Sequence, residues 1–124
     1  MAGEIQSYRD LKVWQLGMDL AGHCYLLTSR FPHQEIYGLT SQIRRAGVSI
    51  PANIAEGYGR ENRGEFIQFL RIAQGSLKEL ETHLLISARL KYLAEEDIVA
   101  VLRETETLGK MLRALIRRLQ SKTN

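Results

Sequence analysis

Residues 61–91, ENRGEFIQFLRIAQGSLKELETHLLISARLK, decide the fold. Phe66, Phe69 or Leu70, Ala73, Leu77, Leu80 and Leu84 recur at steps of three and four residues, the spacing that aligns side chains along one stripe of an α-helix. The near-heptad run is long enough to form a seam against neighbouring helices. Gly75 interrupts it at a cost of roughly 1 kcal/mol relative to alanine, so a close backbone contact is expected there.

The same periodicity extends in both directions. Residues 38–56 read as a helix with Leu39, Ile43, Ala46, Ile50 and Ile54 inward, closed by Gly57-Tyr58-Gly59. Pro51 lies inside it and removes one backbone donor, which predicts a kink near Gly47. Small residues at Ala46, Gly47, Ser49, Ala52 and Ala55 would let a neighbouring helix come close. Residues 8–30 carry two apolar stripes, Leu11, Trp14, Met18, Ala21 and Tyr25 beside Val13, Leu16, Leu20, Cys24 and Leu27, so this helix should touch more than one neighbour before Phe31-Pro32 ends it. Residues 94–120 place Glu95, Glu96 and Asp97 in a first turn, with Ile98, Val101, Leu102, Leu108, Leu112, Leu115 and Leu119 inward. Residues 1–7 and 121–124 read as frayed tails.

Four helices, three short connections and no strand-like alternation predict an all-α, antiparallel up-down-up-down four-helix bundle with a kinked second helix. The 124 residues, 44% hydrophobic and 25% charged, suit one domain over 1–124. A chain of this size buries roughly two-thirds of its unfolded surface without disulfides or a structural metal. A lone Cys24, no leader-like start and no membrane-length apolar run point to the reducing cytoplasm and away from a membrane.

Familiar chemistry finds no pattern to rest on. His23, His33 and His83 are too scattered for zinc, and Glu79 with His83 is a single four-residue pair, unlike the doubled Glu-x-x-His of di-iron bundles. Gly57, Gly59 and Gly64 follow no strand and precede no Gly-Lys-Ser or Gly-Lys-Thr, which excludes a phosphate loop. No activated serine or paired-carboxylate motif appears, so no enzyme, cofactor or metal is expected. Asn53 and Glu56 are expected to satisfy backbone groups near Pro51 and the helix end.

Charge is more informative. In an up-down bundle, the starts of the first and third helices share an end with the finishes of the second and fourth. That end collects Arg9, Lys12, Arg60, Arg63, Arg113, Arg117, Arg118 and Lys122 against Glu4, Asp10, Glu56, Glu61 and Glu65, an excess equal to the whole chain's +3. Residues 110–122 hold no acid at all. The plain account is a solvated terminus matched to the helix dipole and paired with Glu61 or Glu65; the functional account is an anion-binding surface. Registry also brings Arg44 near Gly75 and within reach of Glu79, predicting a structural ion pair.

Ser49-Ile50-Pro51-Ala52-Asn53-Ile54-Ala55-Glu56-Gly57-Tyr58-Gly59-Arg60 closely resembles the four-helix-bundle family of 23S rRNA-intervening-sequence proteins, also called S23 ribosomal proteins. The likeness extends to Asp10-Leu11-Lys12-Val13-Trp14, to Gly38-Leu39-Thr40-Ser41-Gln42-Ile43-Arg44-Arg45-Ala46 and to Ala73-Gln74-Gly75-Ser76-Leu77 with Glu79-Leu80-Glu81. It implies a bacterial cytoplasmic protein, sometimes encoded within ribosomal RNA genes, that assembles as a ring of five bundles. A related branch, the accessory variability proteins of diversity-generating retroelements, resembles a basic pentameric barrel that binds nucleic acid and a reverse transcriptase. Aligned in such a ring, five copies would gather about +15 on one rim.

The resulting expectation is a non-enzymatic homo-oligomer in which Arg60, Arg63, Arg113, Arg117, Arg118 and Lys122 contact the phosphate backbone of RNA or DNA. Tyr58 is the one aromatic expected beside that end, since Trp14, Phe66 and Phe69 fall on core seams. The rival is a structural adaptor for an unidentified protein partner. Pro51, Asn53, Gly57, Gly75, Arg44 and Glu79 are assigned structural roles.

Overall fold

Asn62 starts the deciding helix: its side-chain oxygen accepts from the Glu65 backbone N–H at 2.9 Å, filling one of the donors a helix start leaves open. Helix α3 then runs over Arg63–Arg89, preceded by α1 (Lys12–Thr28) and α2 (Leu39–Gly59) and followed by α4 (Glu95–Ser121). Two 3-10 turns, Tyr8–Asp10 and His33–Glu35, complete the computed structural model, which describes residues 4–122 and shows no strand among them. Residues 1–3 and 123–124, parts of the expected tails, lie outside the described residues.

Each helix packs on two others. Helix α1 touches α2 and α4, and α3 touches the same two, so the four surround one core. Leu20, Cys24, Leu27, Ile43, Ile50, Ile54, Leu70, Leu77, Leu80, Leu84, Val101, Leu108 and Leu112 are almost completely shielded there. Each large aliphatic side chain so placed contributes about 1.5–3 kcal/mol.

The first helix differs from its sequence reading. Of its two stripes, Val13, Leu20, Cys24 and Leu27 line the core with Gly17; from the other, Leu11 just ahead of the helix is buried, whereas Met18 and Tyr25 stay about half exposed. Close approach decides this: a Cβ added at Gly17 would stand 3.4 Å from the Pro51 Cβ, and one at Gly47 would stand 3.5 Å from the Cys24 Sγ. Those contacts turn the Met18 stripe outward. Nor does the helix begin at Tyr8, because Leu11 is extended at φ −72°, ψ 126°. Ser7 caps the preceding turn in a reciprocal capping box with Asp10, and Ser121 ends α4, so neither residue behaves as tail.

Helix α2 continues through Pro51 and past Gly57 to Gly59. Gly57 therefore serves as a packing position, not a terminator: an added Cβ would lie 2.5 Å from the Phe69 Cβ and 3.2 Å from Phe66 Cδ1. Gly75 reverses the expectation in the other direction, since an added Cβ there meets nothing within 4 Å. In α4 the buried set is Val101, Thr105, Leu108, Gly109, Leu112 and Ile116; Ile98, Leu102, Leu115 and Leu119 sit on its flanks.

The connections are specifically tied. Helix α3 ends in a Schellman arrangement, with Tyr92 N–H donating to Ser87 O at 2.9 Å, Lys91 N–H to Ala88 O at 3.0 Å, and Lys91 in the left-handed region at φ 65°. Glu35 anchors the first connection, one carboxylate oxygen accepting from Leu39 N–H and the other from the Tyr92 hydroxyl, each at 3.0 Å. That bond is the main reason the Tyr92 phenol titrates above its ordinary value, with burial adding to it. No helix among the described residues is long and apolar enough to cross a membrane.

Candidate nucleic-acid interface

The last turns of α4 rotate by 100° per residue and so spread their cations around its outer half. Arg118 and Lys122 turn toward α1, where they line a groove of about 460 Å³ with Lys12, Met111, Leu115 and Leu119. Arg63, at the start of α3, borders an adjoining depression with Tyr58, Asn62, Phe66 and again Leu119. Leu119 is thus the shared wall, and Lys12, Arg63, Arg118 and Lys122 stand around one end of the bundle. Arg113 lies apart from them, in the α3–α4 groove beside Arg71 and Lys78.

Three of the acids of this end, Glu56, Glu65 and Asp10, are occupied elsewhere, while Glu61 lines the depression beside Arg63. Arg60 takes two of them, its guanidinium lying 3.0 Å from Glu56 Oε2 and 3.4 Å from Glu65 Oε1, with the charge 5.1 Å from the Phe69 ring centre. Asp10 accepts from the Gln6 and Ser7 backbone N–H groups at 2.9 and 3.1 Å. The side chains of Arg63, Arg113, Arg117, Arg118 and Lys122 form no ion pair with any described residue. Their expected neutralisation by Glu61 or Glu65 does not occur, and Arg60, counted with them in the sequence reading, is the cation that is neutralised. Glu56 binds Arg60 and not the helix-end backbone.

The structural assignments divide. The Asn53 side-chain amide donates to Ser49 O at 2.8 Å and to Ser49 Oγ at 2.9 Å, one turn back. Arg44 does not pair with Glu79. It donates to Thr28 Oγ1 at 2.9 Å and lies 4.5 Å from the Tyr25 ring centre, because Thr40, Arg44, Gly47 and Pro51 form the stripe of α2 that faces α1. Glu79 instead lies 3.8 Å from His83 on its own helix. Tyr58 does reach the basic end, but its ring packs edge-on to Phe66 with centres 5.8 Å apart.

One pair escaped the sequence reading. His23 Nδ1 on α1 and Glu104 Oε2 on α4 are 2.6 Å apart in a cleft of about 560 Å³ that also holds Asp19, Arg103 and Thr107. The carboxylate orients the imidazole, and the pair bridges two helices. Cys24 nearby supplies no nucleophile: burial, and secondarily the Glu104 charge, push its thiol up to about 12. Among the described residues no group of three His, Cys, Asp or Glu side chains is placed to hold a metal ion. The signal was absent from the chain because His23 and Glu104 are 81 residues apart.

Comparison with known proteins adds the family. The model of the 23S rRNA-intervening sequence protein family matches residues 9–114, from the first turn to within the basic run of α4. The chain belongs to this family. A member of the S23 ribosomal protein family from Bacteroides thetaiotaomicron, whose crystal structure is described as that of a protein with unknown function, is similar at 27% identity and a TM-score of 0.75. The match covers 84% of this chain and 97% of that one. No curated protein matches the chain. The family match takes in Arg60, Arg63 and Arg113 and stops short of Arg117, Arg118 and Lys122.

Proposed function

We propose that the protein is a non-enzymatic, cytoplasmic homo-oligomer that binds nucleic-acid backbone through Arg63, Arg117, Arg118 and Lys122 at its basic end and through Arg113 in the α3–α4 groove. The carrying observation is that these five cations have no ion-pair partner among the described residues while Arg60 occupies Glu56 and Glu65. Cations without internal partners release counterions when they meet phosphates, which makes binding strong at low salt and indifferent to sequence. Tyr58 is engaged with Phe66, so base stacking contributes little.

The subunit is an antiparallel up-down-up-down bundle in this reading, supported by Arg30 at the end of α1 lying 3.6 Å from Asp97 at the start of α4. Assembly, into the pentamer that the family resemblance implies, is supported by the outward stripe Met18 and Tyr25 with neighbouring Val48, each about half exposed. A ring would repeat the basic end on one rim. Reversing charge at Arg113, Arg117 and Arg118 together tests the reading: nucleic-acid binding should vanish while the assembly keeps its mass. Unchanged binding overturns it and leaves an adaptor for a protein partner.

A further inference from the structure

Gly75 sits in the interior of α3, where glycine costs roughly 1 kcal/mol relative to alanine, yet an added Cβ would meet nothing within 4 Å. The bundle's own packing gives no reason for it. What lies outside does. Gly75 and, across from it on α4, Gly109 floor a shallow cleft of about 350 Å³ whose rim carries Arg71, Lys78 and Arg113 and no carboxylate. Lys78 is tethered 3.1 Å from Glu81, but Arg71 and Arg113 have no ion-pair partner among the described residues. Two guanidinium groups without an ion-pair partner among the described residues, one on each helix, thus line a cleft that Gly75 leaves open, while Gly109 packs against Leu77 of the core.

We propose that this α3–α4 cleft seats a backbone phosphate of a bound nucleic-acid strand, clasped between Arg71 and Arg113. The proposal rests on the nucleic-acid reading above and deepens it: Arg71, from mid-helix α3, joins the interface, and the strand passes along the side of the bundle instead of only touching its end. Planar guanidinium forks suit phosphate oxygens, and a missing side chain at Gly75 lets a phosphate approach the helix surface.

Gly75→Leu tests the cleft without changing any charge. An added Cβ meets nothing within 4 Å at this exposed position and leucine favours the helix, so the fold should be retained. Binding of a short fluorescein-labelled RNA duplex would be followed by anisotropy across a salt series, with the assembly's mass measured by light scattering. Gly75→Leu should weaken binding by about fivefold or more at unchanged mass, and Arg71→Ala should reduce the log–log salt slope by about 1. Full affinity in Gly75→Leu, while the Arg117→Ala/Arg118→Ala protein loses binding, overturns the cleft and leaves the basic end standing. Weakened binding accompanied by a fall in mass also overturns it, by making Gly75 a subunit contact. Absence of wild-type binding at low salt removes the nucleic-acid reading and the cleft with it.

Discussion

Gly57 of α2 lies so close to Phe69 of α3 that an added Cβ would stand 2.5 Å from the Phe69 Cβ. The neighbouring atom belongs to the rigid base of an aromatic side chain, so a methyl group at position 57 forces the helices apart. Gly57→Ala should destabilise the protein by about 1–3 kcal/mol. Gly75→Ala, in open space, should stabilise it by about 0.5–1 kcal/mol. Urea midpoints at constant denaturant slope report both; a stabilising Gly57→Ala would contradict the packing.

Cys24 makes stability depend on alkaline pH. Its thiol titrates near 9.0 when free and near 12 in the fold, so the folded state holds a proton that the unfolded state has lost across that interval. The thiol's contribution is complete below about pH 9 and declines as pH rises toward 12. Relative to Cys24→Ala, wild-type stability should fall at a slope approaching about 1.4 kcal/mol per pH unit in that window. Parallel pH profiles for the two proteins would refute this, and native Cys24 should resist alkylation at neutral pH until the chain unfolds.

What the chain disclosed and what it withheld follow from one geometric fact. Periodicity identifies the inner positions of α2 and α3, such as Ile43, Ile50, Leu77 and Leu84, because one apolar stripe dominates each. In α1 two stripes compete at equal spacing, and only the approach of Pro51 to Gly17 ranks them. Along the bundle axis the connections set height, which is why the basic end was legible. Rotation about the axis is set by tertiary contacts, so Arg44 facing Thr28, Arg113 facing Arg71, and the His23–Glu104 pair were not.

Arg44 bonds to Thr28 across the α1–α2 contact. A double-mutant cycle of Arg44→Ala with Thr28→Val should give a coupling of about 0.5–1.5 kcal/mol, whereas Arg44→Ala with Glu79→Ala should give none beyond error. Coupling to Glu79 in place of Thr28 would restore the ion pair expected from registry.

The measurement that bears most directly on the central claim is the affinity of the purified, nucleic-acid-free assembly for unrelated RNA and DNA duplexes as a function of salt. Cations without an ion-pair partner among the described residues predict measurable binding at low salt, a steep log–log loss as salt rises, and little difference among sequences. Absence of binding at low salt, or binding that salt leaves unchanged, would contradict the account and make the end of α4 ordinary solvated surface.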